Sequence, residues 1–157
     1  MEMAMFNKRA VLIGLVLMAG GCVKSHNFGE GPKAILHEYI DKSFNITSVD
    51  DRKKLEDLLT GKAKTRLASW SDEQFRNAFL NQKRKIKNLL IRDEKEISPA
   101  EVNITYELTY LDGEKGADTK VTNRKLAYMV KEGGQWRINE VRNIKELIEY
   151  QNEMALP

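Results

Sequence analysis

Few residues of this chain have side chains that could do chemistry at neutral pH. The 157 residues include one cysteine, Cys22, and two histidines, His26 and His37. A single cysteine cannot form an internal disulfide, and these three residues cannot assemble a zinc site at the usual spacings. The sequence therefore predicts no metal site and no cofactor.

Tyrosines are the candidate ligand-binding residues. In 101-EVNITYELTYL-111 every second residue is apolar or aromatic, which places Tyr106 and Tyr110 on one face. Tyr128 belongs to a later apolar run and is expected to line the same interior. A buried tyrosine can donate a hydrogen bond to a ligand, although a backbone partner is the more common arrangement. No acidic residue interrupts the apolar parity, so the sequence predicts no general base and no catalytic residue.

Charge is unevenly distributed along the chain. Nine basic residues and two acids lie between Lys62 and Arg92, whereas eight acids and two lysines lie between Asp93 and Asp118. The net charge of +3 is too small to predict a nucleic acid partner. Anionic head groups or an acidic protein could bind a basic surface within 83–87, but a solvated strand edge explains the same charges. That basic surface consists of Lys83, Arg84, Lys85 and Lys87.

The N-terminal residues have the pattern of an export signal. Lys8 and Arg9 precede ten apolar residues at 10–19, and the chain then becomes polar. A membrane-spanning helix needs about 20 apolar residues, whereas this length is typical of the apolar part of a signal peptide. Either Met1 or Met5 is the expected start. The pattern therefore predicts an exported protein.

The segment 19-AGGC-22 resembles the lipobox of bacterial lipoproteins, in which small residues precede a cysteine. The resemblance implies that the Cys22 thiol receives a diacylglyceryl group, that the preceding peptide is removed, and that the new amine is acylated, with palmitate as the expected fatty acid. Ala19 departs from the leucine usual at that position. A secretory signal cleaved nearby is the alternative. The predicted organisation is a signal peptide at 1–21, a lipidated tether at 22–31 and one domain at 32–157.

A lipidated Cys22 would make the membrane a partner without any protein span. Each buried methylene contributes about 0.8 kcal/mol, and stable anchoring takes more than one chain. Val23 follows the cysteine where a retention signal would have aspartate. In an organism with two membranes, the resemblance then implies the periplasmic face of the outer membrane.

Helix signals dominate the first half of the chain. The first helix is predicted to begin at Pro32, a residue suited to the first helical turn. The second is predicted after the capping residues 47–48, with Gly61 at its end. The third is predicted to begin at Ser71, where Gln74 completes a capping box.

After these helices the apolar period changes from about 3.6 to two. Strands are predicted at 86–91, 101–111, 126–130 and 135–141, with Gly133-Gly134 as a hairpin turn. A closing helix is predicted from Asn143. The expected fold is α+β, with three N-terminal helices on one face of a curved antiparallel sheet of about four strands, plus a C-terminal helix.

This order of elements, with the late strand 133-GGQWRI-138, resembles the nuclear-transport-factor-2-like folds over roughly residues 32–141. The resemblance implies a cone-shaped pocket between the helices and the sheet. The cystatin fold, in which one helix packs on a meander, is a near neighbour. Its inhibitory Gln-x-Val-x-Gly signature does not occur in this sequence, so no inhibitor function is predicted.

The predicted function is that of a membrane-anchored envelope lipoprotein. Its domain is expected to bind or scaffold a protein partner or a small apolar ligand without catalysis. One alternative is a small hydrolase, isomerase or dehydratase of the same fold, with a predicted tyrosine near an ionisable partner. Another is a homodimerising accessory subunit that pairs through the open sheet face. That face is polar, which argues against a large obligate interface; its residues are Glu101, Asn103, Thr105, Glu107 and Thr109.

Overall fold

The computed structural model describes residues 31–116 and 118–150, so Cys22, the signal segment and most of the tether lie outside it. Within these ranges four α-helices precede four strands. The helices are α1 (Pro32–Phe44), α2 (Arg52–Glu56), α3 (Gly61–Ala68) and α4 (Asp72–Phe75), with a 3-10 turn at Val49–Asp51 before α2 and a π-helical turn at Arg76–Leu80 after α4. The strands are β1 (Arg84–Ser98), β2 (Glu101–Asp112), β3 (Lys120–Glu132) and β4 (Gln135–Glu149).

The strands form one antiparallel sheet in the order β1-β2-β3-β4, with the helices on one face. Alternation along β2 divides the two faces, because the even-numbered residues from 102 to 110 are apolar or aromatic and buried, and the residues between them are half-buried. The predicted α+β class, antiparallel sheet and faces of β2 are confirmed. The core joins the inner face to the helices through Leu36, Ile40, Leu55, Leu67, Phe75, Ile104, Met129 and Ile138.

Two predicted helix starts are confirmed. Pro32 opens α1. Ser71 caps α4, because its hydroxyl accepts from the Gln74 amide at 3.2 Å and the Gln74 side chain accepts from the Ser71 amide at 2.8 Å. This reciprocal pair satisfies two backbone donors that a helix start leaves without partners.

Gly61 begins a helix, so the prediction that it ends one is wrong. Its φ is +46°, and an added Cβ would lie 1.8 Å from the Asn139 side-chain oxygen. Glycine is therefore required by a close approach of α3 to β4. The region predicted as a second helix contains α2 and the start of α3, so the described N-terminal region has four helices where three were expected.

The predicted C-terminal helix is absent from the described residues, because β4 continues to Glu149. Val121 pairs with Ile148, and Thr122 pairs with Leu147. Without this extension the first residues of β3 would lack one row of backbone partners, a cost that outweighs the helical spacing of the local apolar residues. The hairpin at Gly133-Gly134 is confirmed, with φ values of +56° and +83°.

A short segment between α2 and α3 fastens the helices to the free edge of β4. The Thr60 amide donates to the Ile138 carbonyl, and the Ile138 amide donates to the Leu58 carbonyl, both at 2.9 Å. The Arg137 guanidinium donates to the Asp57 carbonyl at 3.0 Å. These bonds cover part of an edge that would otherwise be open for pairing. No helix in the described ranges is both long and apolar enough to span a membrane.

Candidate ligand-binding pocket

A pocket of about 470 Å³ lies between the helices and the inner face of the sheet. Its helical side is apolar and aromatic except for Arg66, and its sheet side carries most of the polar groups. Trp70 and Phe79 pack together on the helical side, with ring centroids 5.9 Å apart. The lining residues from the helices and their loops are Tyr39, Leu59, Ala63, Arg66, Leu67, Trp70 and Phe79, and those from the sheet are Tyr106, Lys125, Glu140, Val141 and Asn143.

We call Trp70 and Phe79 the aromatic wall of the pocket, and Arg52 holds this wall in place. Its guanidinium donates to the Trp70 carbonyl at 3.0 Å and to the Asp72 carboxylate at 2.9 Å. It also lies over the Phe75 ring, 4.8 Å from the centroid. Because Phe75 in turn packs on Phe79 at 4.9 Å, one side chain ties α2 to the corner between α3 and α4.

Three polar residues cross the sheet side by side at the floor of the pocket. Tyr106 on β2 pairs with Lys125 on β3, and Lys125 pairs with Asn143 on β4. Paired residues of antiparallel strands project to the same face, so all three side chains meet the same space. We call Tyr106, Lys125 and Asn143 the polar row. Tyr106 is buried, Lys125 is partly buried and Asn143 is exposed, so the row runs from the core to the open edge.

Two β-bulges in β4 lie on either side of the residues that this strand contributes to the pocket. Register shifts leave Asn139 and Ile144 unpaired, on either side of the lining segment 140–143. A bulge re-aims the side chains beside it and often adjoins a functional site. The first bulge faces Gly61, so the close approach of α3 and the irregular strand occur at the same place.

Lys125 is a desolvated cation. Burial lowers the pKa of Lys125, and the Arg84 guanidinium lowers it further, whereas Glu146 raises it. Within the described ranges Lys125 takes part in no ion pair. The fold therefore places a charge in a half-buried site where Glu146 favours the ammonium but no carboxylate of the described residues bonds to it directly.

Two other polar groups of the pocket, Tyr106 and Glu140, differ from Lys125 in charge and in partners. Burial raises the pKa of Tyr106, with a further contribution from Tyr39, so its hydroxyl stays protonated and can donate. Glu140 accepts from Arg142 at 3.1 Å and from Lys62 at 3.4 Å. These two cations, Arg142 first, lower the pKa of Glu140, so it is an ionised group already paired by the protein.

The three predicted tyrosines do not come together. Tyr106 lines the pocket, whereas Tyr110 shares its face but packs beside Phe44 and receives a hydrogen bond from Asn123 at 3.2 Å. Tyr128 pairs with Asn103 on the opposite face, beneath the Arg142 guanidinium at 5.0 Å. The expectation that Tyr128 lines the interior is therefore wrong. The sequence interpretation placed the even-numbered residues of β3 on the inner face, but pairing with β2 places the odd-numbered residues there. The inner residues of β3 are Val121, Asn123, Lys125, Ala127 and Met129.

The sequence interpretation missed Lys125 and Asn143. The apolar series Leu126, Tyr128 and Val130 suggested the inner face of β3, although it faces outward. Asn143 was interpreted as a helix cap. The only local signal for the true parity is the second series, Val121 with Ala127 and Met129, which the residues between them obscure.

The predicted basic surface lies at the start of β1, an edge strand, and its four residues are exposed. Arg84 differs from the three lysines because it lies over the Tyr110 ring at 5.3 Å and 3.5 Å from the Asp112 carboxylate. Asp112 is 1% exposed, so Arg84 partly balances a buried charge. His37 is half-buried on α1, and the described residues contain no cluster of metal-binding side chains.

Comparisons with known proteins identify the fold class. No protein-family model and no curated protein matches the sequence. The solved structure of a SEC-C motif containing protein from Rhodopseudomonas palustris is similar, with a TM-score of 0.51 and 12% identity over 74% of this chain and 80% of that one. VirB8 from Agrobacterium tumefaciens has a TM-score of 0.46 and 9% identity over 76% of this chain and 92% of that one. The first similarity supports a small α+β fold.

Proposed function

We propose that this chain is an exported lipoprotein, held on the bacterial envelope by acyl chains on Cys22, whose domain binds a small, mainly apolar ligand without catalysis. One observation carries the binding role, namely the pocket of about 470 Å³ with an aromatic wall and a short polar row. Small-molecule sites typically have volumes of about 300–1,000 Å³, a mostly apolar lining and few polar groups. The lipobox-like segment supports the anchor.

The arrangement of the pocket supports a nuclear-transport-factor-2-like domain. In folds of that kind the ligand space lies between the helices and one face of the sheet, as it does here. Four helices over the inner face support this assignment over the cystatin fold, which has one helix.

The anchor is tested with Cys22→Ser, which removes the thiol at little change in size. The wild-type protein is expected to incorporate labelled palmitate and to sediment with membranes, and the variant to do neither. Mass spectrometry of the native protein should find Cys22 as the first residue, with acyl groups attached. Retention of residues 1–21, or an unmodified cysteine, would contradict the proposal.

The pocket is tested by fluorine NMR with a neutral apolar probe, para-fluorophenylbutanamide, added to the full chain in mild detergent, with detergent alone as the blank. Ala63 lines the pocket and Ala68 is exposed on the same helix. We expect Ala63→Phe to abolish the line broadening that the wild type causes, and Ala68→Phe to retain it. Equal binding to both variants would show that the probe binds elsewhere.

A second candidate function is a small enzyme of the same fold. The observation that favours it is the pairing of Lys125 and Tyr106 in one pocket, because a lysine with a lowered pKa is a possible base or nucleophile. We expect no turnover of para-nitrophenyl esters by the purified protein. An esterase activity lost in both Lys125→Met and Tyr106→Phe would establish the enzyme in place of the binding module.

A further inference from the structure

The pocket has one feature that a site for a purely apolar ligand does not need. Lys125 lies in its floor, although a lysine confined in a desolvated place weakens the fold unless something balances its charge. Two other cations of the domain have carboxylate partners. Lys62 bonds to Glu140, and Arg84 lies beside Asp112.

No neighbour of Lys125 forms an ion pair with it. Glu146 raises the pKa of Lys125, but no ion pair joins the two side chains in the described part of the chain. Its cross-strand partners, Tyr106 and Asn143, are neutral. Glu140, the one acid of the lining, already bonds to Arg142 and Lys62. Arg66 adds a further positive charge at the pocket wall. The lining thus has two cations, Arg66 and Lys125, against one carboxylate that is bound by other cations.

We infer that the ligand of this pocket is an apolar molecule with a single anionic group, a carboxylate, and that Lys125 binds that group while the aromatic wall covers the apolar part. A carboxylate matches the single charge of the half-buried Lys125 ammonium, whereas Arg66 is exposed, so solvent screens its charge. Tyr106 and Asn143 can add hydrogen bonds to its oxygens. This inference rests on the proposed binding function and specifies its ligand class.

The shape of the site gives the ligand an orientation. The polar row lies on the sheet, whereas Trp70, Phe79 and Leu67 line the opposite side. A carboxylate at Lys125 therefore places the apolar part of the ligand against the rings of the wall. Hydrogen bonds that involve a charge contribute more than neutral ones, so the ammonium should select an acid over a neutral molecule of the same shape.

The test compares two probes that differ in one group. Para-fluorophenylbutanoate carries the carboxylate, and para-fluorophenylbutanamide is its neutral match. Both are titrated by fluorine NMR against the full chain in mild detergent, with detergent alone subtracted. For the wild type we expect the acid to bind at least about tenfold more tightly than the amide.

The matched variants assign this preference to one residue. Lys125→Met is expected to bind both probes with the affinity that the wild type has for the amide, and Lys125→Arg to keep the preference for the acid. Lys120→Met makes the same change on the opposite face of the same strand, where Lys120 is paired with Glu149, and should behave as the wild type.

The outcomes separate this inference from the proposed function. Equal binding of acid and amide by the wild type would overturn the carboxylate inference and leave the binding function intact. Binding of neither probe would overturn both. If Lys125→Met fails to fold, the comparison of acid and amide binding by the wild type still tests the carboxylate inference. A preference for the acid that persists in folded Lys125→Met would also overturn the assignment to Lys125.

Discussion

The two faces of the sheet carry charge in opposite ways at neighbouring positions of the same two strands. On the outer face Glu107 pairs across the ladder with Arg124, and its carboxylate accepts from Arg124 at 2.9 Å and from Arg92 at 2.8 Å. On the inner face, one position away on each strand, Tyr106 pairs with Lys125, which has no ion-pair partner in the described part of the chain. A charge satisfied by the protein stabilises its own fold, whereas an unsatisfied charge in a pocket is free to bind something else.

The largest expected effect tests which face of β3 is buried. Met129 is 1% exposed on the inner face, and Tyr128 is half-buried on the outer face. Met129→Ala should lower the free energy of unfolding by about 2–5 kcal/mol because it leaves a cavity. Tyr128→Ala should cost only about 1 kcal/mol, mainly its contact with Arg142. Urea denaturation measures both, and the reverse order would mean that β3 is shifted by one residue.

The next prediction removes the carboxylate of Glu107, which is paired with two arginines on the outer face. Glu107→Gln would leave Arg92 and Arg124 facing each other without a carboxylate, so we expect a lower melting temperature and a smaller deficit in high salt. Glu101→Gln is the matched control at the start of the same strand, where the carboxylate forms none of the described ion pairs. Equal melting temperatures for the two variants would contradict the importance of the arginine pair.

The same pair predicts a pH dependence. Hydrogen bonds from Arg92 and then Arg124 hold the pKa of Glu107 below its ordinary value. The stabilisation is therefore fully present above the unfolded pKa of about 4.3 and is lost as the pH falls through the lower folded value. The difference in melting temperature between the wild type and Glu107→Gln should narrow below that range, and a constant difference would argue against the ion pairs as its source.

Removal of the Lys125 charge should stabilise the protein, whereas removal of the Glu107 charge should destabilise it. Lys125→Met keeps the length of the side chain but removes the cost of desolvating an ammonium, so we expect the free energy of unfolding to rise by about 1 kcal/mol. Lys120→Met should change it by less than about 0.5 kcal/mol, because that lysine is exposed. A large loss of stability in Lys125→Met would mean that the protein itself satisfies this charge.

The smallest effect concerns Arg66, the second cation of the pocket. Arg66 is exposed, so water and salt screen its interaction with a bound carboxylate. Arg66→Met should weaken binding of para-fluorophenylbutanoate by a factor of about two to five and leave the neutral amide unaffected. A larger loss of affinity for the acid in Arg66→Met than in Lys125→Met would mean that the carboxylate binds at Arg66 and not at Lys125.

Much of the fold was predictable because its signals are local. The capping box at Ser71, proline at the start of α1 and the Gly133-Gly134 turn each depend on a few neighbouring residues. The two faces of β2 were predictable because its apolar residues occupy one parity alone. The closing helix was wrong because Ile144, Leu147 and Ile148 have helical spacing, whereas pairing with β3 decides their conformation.

The candidate site was much less predictable. Among the three tyrosines proposed from the sequence, Tyr106 alone lines the described pocket. Lys125 was not proposed because both parities of β3 carry apolar residues, and only its pairing with β2 selects one. Asn143 could not be identified while the chain there was interpreted as helix. The roles of Cys22 and of the basic surface remain predictions.

By itself, the sequence determined the α+β class, the starts of α1 and α4 and the alternation of β2, since each depends on composition or on contacts within a few residues. Only the tertiary structure decided the inner face of β3, the full length of β4 and the meeting of Tyr106, Lys125 and Asn143. The physical reason is that strand register is a property of pairs of strands. One residue of offset exchanges every side chain between the pocket and the solvent.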